Sequence, residues 1–329
     1  MKNKLLVLLL TCFIVILSGC SLVSEKNETK EEKERITLNK GSIVEDNYGS
    51  FTFYNLKEGK YEVSEMEDTP AEFNTKSGNY ILNRENKYFV NYKGKEIDID
   101  HLKVINPSLS LNGEYLSYFT NEGYFQLKIK DLKKEENIDF KSDVAISGDL
   151  VGWISDDTLI YYGVDYAKNN GLFTFNVETK EEKFLYSLEM GYIEYLKVLE
   201  DEIAFIQERG DRNKSLKLIT LDGEVQEILE GVSEVKNVAK TDNGIYLLGK
   251  VSGNNYSIYK YSDNKFKRLI FDFPKLVNLD KGLSKDENGN ILFMGHDTDY
   301  NLNNIYMIED ENISLINSKS SNYYFIEFN

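Results

Sequence analysis

Cysteine, histidine and tryptophan are nearly missing from these 329 residues, which hold 2 Cys, 2 His and 1 Trp. Two cysteines exclude a disulfide scaffold and any four-thiolate zinc site. Two histidines leave little room for a His-rich metal centre. Positive charge is also short: 39 Lys and Arg face 55 Asp and Glu, a net charge of −16. That balance excludes a nucleic-acid binder, which needs clustered cations against phosphate. The motifs of several enzyme classes are absent too: no Gly-x-Ser-x-Gly elbow, His-Glu-x-x-His, Cys-x-x-Cys, phosphate loop or dinucleotide fingerprint occurs. No cofactor is expected. Aromatic residues are abundant, with 23 Tyr and 18 Phe, and the chain is long enough for a sizeable core.

The apolar run Leu5–Leu17 has 13 residues, too short to span a bilayer, and follows Lys2 and Lys4. This is the layout of a secretory signal. Its end, Leu17-Ser18-Gly19-Cys20, resembles the lipobox of bacterial lipoproteins. The resemblance implies cleavage before Cys20 and an acyl lipid on that cysteine. The mature chain would be exported and anchored to the outer side of a bacterial membrane. The alternative is an ordinary signal peptide with an incidental cysteine. Loss of residues 1–19 takes the charge from −16 to −18. Residues 20–35 carry mostly charged and polar side chains and read as a solvated tether.

From residue 36 to residue 329, short apolar and aromatic runs alternate with Gly, Asn, Asp and Ser clusters, and no long segment keeps a helical period. The expected fold class is all-β. One strand–turn–strand unit recurs seven times: FTFYNLKEGKYEV, YFVNYKGKEIDI, FQLKIKDLKKEENIDF, LFTFNVETKEEKFLY, LKLITLDGEVQEIL, SIYKYSDNKFKRLI and IYMIEDENISLI. Each unit but the first follows a tight turn and an apolar strand. The 294 residues divide into seven repeats of about 42, the length of a four-stranded propeller blade. The expectation is a β-propeller of seven four-stranded blades. A two-sheet sandwich is the alternative, but it does not require seven copies of one hairpin. The first repeat has room for only three strands, and the terminal Asn322-Tyr-Tyr-Phe-Ile-Glu-Phe has no hairpin after it. The C-terminal strand is therefore expected to close the first blade as its innermost strand.

The stretch from Pro107-Ser-Leu-Ser-Leu-Asn-Gly-Glu-Tyr-Leu-Ser-Tyr-Phe to Leu127-Lys-Ile-Lys-Asp-Leu resembles the repeat of TolB-like, WD40-like β-propellers. With strands labelled A to D outward from the axis, that resemblance implies that B–C and D–A connections share the usual binding face. Three B–C connections look long, 163–171, 207–215 and 295–304. They offer Asp165, Tyr166, Arg209, Asp211, Arg212, His296, Asp297, Asp299 and Tyr300 as a candidate binding face. Arg presents a fork for carboxylate or phosphate, and Tyr offers a ring and a hydroxyl. The alternative is a set of solvated loop residues, with His296 and His101 as turn and loop residues. No catalytic or metal-binding set is assigned; Asp286-Glu-Asn-Gly-Asn290 reads as an A–B turn, and Trp153 as blade core. The expected role is a non-catalytic binding or scaffold propeller for a protein, peptide or envelope glycan. A propeller glycosidase or lyase, with Asp165, Asp211 and Asp297 as acid and base, is the competing reading. A spacer without a ligand is the third.

Overall fold

Four-stranded antiparallel ladders recur along the whole domain because each repeat places three tight turns between apolar runs. The computed structural model describes residues 37–329 except 65, 67–69, 86, 100, 102, 122, 124, 211, 212 and 297–301. The lipobox with Cys20, the tether and the candidates Asp211, Arg212, Asp297, Asp299 and Tyr300 lie outside the described residues. The strands form seven sheets in sequence order, a seven-bladed β-propeller. The first strands of blades 2 to 6 are Pro70–Phe73, Val104–Leu109, Ala145–Trp153, Tyr192–Leu199 and Val232–Thr241. In blade 7 the inner position is split between Leu276–Val277 and Leu283–Lys285, with a short 3-10 turn, Leu279–Lys281, between them.

Blade 1 is closed by the other end of the chain. Tyr323–Phe325 pairs antiparallel with Ile43–Asn47, as the missing fourth strand of the first repeat anticipated. The segment then continues into blade 2. Glu327–Phe328 adds parallel to Pro70–Phe73, which the sequence reading did not anticipate. The C-terminal eight residues thus hold two blades at once.

The core is a ring of interfaces. Among the described residues, seven buried clusters each join two neighbouring blades. Period-two alternation explains this. In Thr158–Val164 of blade 4, Leu159 and Tyr161 pack toward blade 3, whereas Ile160 and Tyr162 pack toward blade 5. A strand buried on both faces reads as an unbroken apolar run. Fully burying each such side chain contributes about 1.5–3 kcal/mol. Trp153 is in this core, and its indole N–H donates to the Ser108 carbonyl at 3.2 Å. Pro107 occupies a bulge in Val104–Leu109, where no ladder N–H is needed.

Turn chemistry sets where the strands end. Gly191 connects blades 4 and 5 with φ +80°, and a Cβ there would lie 1.8 Å from the Glu208 carbonyl oxygen. Gly49 has a similar φ of +88° but open space around it. Gly191→Ala is expected to lower unfolding stability by about 2–3 kcal/mol, and Gly49→Ala by about 1 kcal/mol. Urea titration of both variants checks this, and equal losses would remove the role of the Glu208 contact.

Candidate functional site

The A–B turns gather on one face of the ring, and the B–C loops and D–A connections on the other. The chain enters at the A–B side, where the Lys40 N–H donates to Glu287 in the blade 7 A–B turn at 2.8 Å. That turn also uses Asp286 internally: its carboxylate accepts the N–H groups of Asn288 and Asn290 at 2.9 and 2.8 Å. Among the described residues no group of three or more Asp, Glu, His or Cys side chains could hold a metal ion.

The opposite face differs from the sequence reading in where its loops begin. Arg209 is not a loop residue. It ends the strand Glu202–Arg209, pairs across the ladder with Asn213, and forms a 2.8 Å ion pair with Glu227. His296 likewise ends the strand Ile291–His296, opposite Leu276, and is 6% exposed. Arg209 stays in the B–C ladder of blade 5, whereas His296 stays paired to the inner strand of blade 7; in each case pairing runs further than turn-residue composition suggested. Asp165 and Tyr166 do lie in a loop. Asp165 closes it, accepting from the Asn169 N–H at 2.8 Å and its side-chain amide at 2.6 Å. These bonds hold the Asp165 carboxyl below its ordinary range. Tyr166 is 86% exposed. Of the candidates, Asp165, Tyr166 and Arg209 therefore sit on adjacent blades 4 and 5, and His296 on blade 7 is separated from them by blade 6.

Between blades 5 and 6 this face carries a groove of about 440 Å³, lined by Glu208, Asn213, Lys214, Val232, Ser233 and Ser252. Lys214 bridges Glu194 at 2.5 Å and Glu208 at 3.5 Å. Two half-exposed tyrosines belong to the same two blades. The Tyr192 hydroxyl donates to Glu208 at 2.8 Å, and that of Tyr256 to Glu234 at 2.5 Å. Lys236, at 2.9 Å, and Tyr256 keep the Glu234 carboxyl below its ordinary range. Sequence reading passed over Tyr192 and Tyr256 because both belong to strands; their position at strand ends beside a connection was the signal available.

No family model matches the chain, and no curated protein does. Solved structures resemble it at low identity. TolB from Acinetobacter baumannii is 13% identical over 89% of this chain and 81% of that one, with a TM-score of 0.44. The β-propeller domain of the Trilobed protease from Pyrococcus furiosus is 18% identical over 73% and 81%, with a TM-score of 0.49. Pyrococcus horikoshii acylaminoacyl peptidase is 17% identical over 86% of this chain but only 45% of its own, with a TM-score of 0.46. This chain spans less than half of that peptidase.

The axis of the ring holds a second set of polar groups. Two ion pairs cross it near the A–B face, each skipping a blade: Lys76–Asp156 at 3.4 Å and Lys285–Glu200 at 2.7 Å. Deeper lie Tyr195 and Lys197 of blade 5, Asn237 of blade 6, Glu72 of blade 2 and the C-terminal Glu327. The Glu72 carboxylate oxygen accepts from the Leu109 N–H at 2.7 Å and the Asn329 side chain at 2.5 Å. Burial pushes its carboxyl up to about 8. None of these axial residues was singled out from sequence, since each sits alone in its own repeat.

Proposed function

We propose that the mature protein is a lipid-anchored envelope protein whose propeller is a non-catalytic binding module for a peptide, protein or glycan. The single observation that carries the binding role is the blade 5–6 groove flanked by Tyr192 and Tyr256. Each ring is half-exposed while its hydroxyl is held by a carboxylate. Rings fixed this way lose little conformational freedom on contact and offer area for sugars or peptide side chains. Support for a non-catalytic role comes from the carboxyls. On this face Asp165 and Glu234 are shifted toward the ionised form, whereas a glycosidase needs a neutral acid beside a carboxylate. Among the described residues the carboxyl with raised proton affinity, Glu72, is bonded to Asn329 instead.

The test is site-specific photocrosslinking in cells, from Tyr192 and Tyr256 on the groove and from fully exposed Tyr48 on blade 1. A discrete adduct is expected from the groove positions only. The double variant Tyr192→Ala, Tyr256→Ala should weaken capture at least tenfold with unchanged circular dichroism. Indistinguishable labelling from Tyr48 would leave the groove without a role. For the anchor, Cys20→Ser should move the protein from the membrane to the soluble fraction, and retention on the membrane would refute lipidation.

A further inference from the structure

The large apolar side chains that stay exposed are unevenly placed. Among the described residues most of them sit at the B–C and D–A end of the ring, and Leu221 alone lies in an A–B or C–D turn. Their densest run is Phe271-Asp-Phe-Pro-Lys-Leu276, in the connection from blade 6 to blade 7. Phe271, Phe273 and Leu276 are 61%, 47% and 43% exposed. Tyr256 joins them from the start of the neighbouring strand. The next residue, Ser257, accepts the Ile270 N–H on its hydroxyl at 3.2 Å and donates to the Ile270 carbonyl at 2.8 Å. The run is braced from beneath: Phe273 meets the buried Tyr306 ring edge-on at 5.3 Å, Pro274 is buried over Gly295, and Leu276 pairs with His296 across the ladder. An exposed apolar surface on a fixed support is one that a partner covers at low entropic cost.

Charge narrows the choice of partner. The chain carries −16 overall, yet among the described residues of this patch Lys250, Arg268 and Lys275 outnumber Asp272. Glu234, which holds the Tyr256 hydroxyl, is matched by Lys236 at 2.9 Å. Arg268 carries the sharpest signal. Its Nε–H donates to the Ile270 carbonyl at 2.8 Å, and its guanidinium carbon stands 4.8 Å from the centre of the Phe271 ring. Among the described residues it forms no ion pair, so its two terminal NH₂ groups keep their donors. A planar fork held beside an exposed ring suits a carboxylate that neighbours an apolar side chain. Lys250 stands 5.4 Å from the centre of the Tyr256 ring and likewise forms no ion pair among the described residues. An anionic leaflet is a poorer match, because it repels the net charge of the whole chain.

We propose that Phe271–Leu276, with Tyr256 and Arg268, is a docking surface for an acidic, apolar segment of a partner protein, one carboxylate seated on the Arg268 fork. This rests on the reading of the B–C and D–A end as the binding face, and it names the chemistry of what binds there. The test puts a photocrosslinking residue at Phe271 or Phe273 of the full chain in cells, with Leu221 on the opposite face as the control. Adducts are expected from Phe271 and Phe273 and not from Leu221, and the joined peptide, read by mass spectrometry, should hold more Asp and Glu than Lys and Arg. Read from Phe273, Arg268→Met should cut the yield at least tenfold, and Arg268→Lys, which keeps the charge without the fork, should recover part of it. Should Arg268→Met fail to fold, wild type in isolated envelopes gives the same reading, its yield falling as salt is raised. Tyr192 separates the two readings: label there without label at Phe271 and Phe273 overturns this docking surface and leaves the groove, whereas label at none of the three overturns both. The docking surface is also overturned by a lipid adduct, by a joined peptide without net negative charge, by equal labelling from Leu221, or by a yield that neither Arg268→Met nor salt lowers.

Discussion

Removal of residues 322–329 is expected to destabilise the propeller by about 5 kcal/mol or more, a fall in melting temperature of about 10 °C or more. Tyr323 and Ile326 are each 1% exposed, in the clusters joining blade 7 to blade 1 and blade 1 to blade 2. The ladder from Tyr323–Phe325 to Ile43–Glu45 and that from Glu327–Phe328 to Glu72–Phe73 would be lost together. So would the bonds of Asn329, which donates to the Phe73 carbonyl at 3.2 Å and accepts from the Thr75 N–H at 3.1 Å. The cost exceeds the area term because an unpaired inner strand exposes backbone groups. Scanning calorimetry measures it, and adding the peptide 322–329 in trans should restore part of the loss. Should the truncated chain fail to fold, Tyr323→Ala gives a milder reading, with an expected loss of about 3–4 kcal/mol. An unchanged transition in both variants would mean that the C-terminal strand does not close the ring.

The second large effect is on pH dependence. Glu72 is 4% exposed, and its carboxyl is pushed from an ordinary 4.5 up to about 8, burial being the largest cause and Glu327 adding to it. A group with a raised folded value stays protonated in the fold while the unfolded chain has already released its proton. Its stabilising effect is therefore complete below about pH 4.5 and is lost as pH rises toward about 8. Between pH 5 and pH 8 this group should account for a loss of about 3 kcal/mol. Glu72→Gln cannot ionise and keeps an oxygen to accept the Leu109 N–H. The variant should be markedly more stable than wild type at pH 8 and close to it at pH 5. Urea unfolding at both pH values tests this, and parallel pH slopes for the two proteins would contradict it.

How far the fold could be read in advance follows from the range of the interactions involved. Blade hairpins are local: their turns and alternation sit within about fifteen residues, as in the blade 6 ladder that pairs Ile245 with Tyr261. The destination of Tyr323–Phe325 was legible for a different reason, since the first repeat lacks one strand and the last segment supplies one. Strand ends were less legible. Arg209 and His296 looked like loop residues because polar composition marks a turn without stating where pairing stops. Tyr192 and Tyr256 were hidden among similar aromatics, most of which are core.

By itself, the sequence determined the all-β class, the number of blades, the four-strand unit and the strand that closes the ring. The first three depend on repetition and on contacts within one repeat, and the last on the strand that the first repeat lacks. Only the tertiary structure decided which side chains share the axis. Lys197, Asn237 and Glu72 come from three different repeats and Glu327 from the C-terminal segment, and no spacing in any one repeat signals their approach. The groove between blades 5 and 6 is of the same kind. Closing the ring sets both, because it converts the radial position of a residue within its blade into a shared location with its counterparts in other blades.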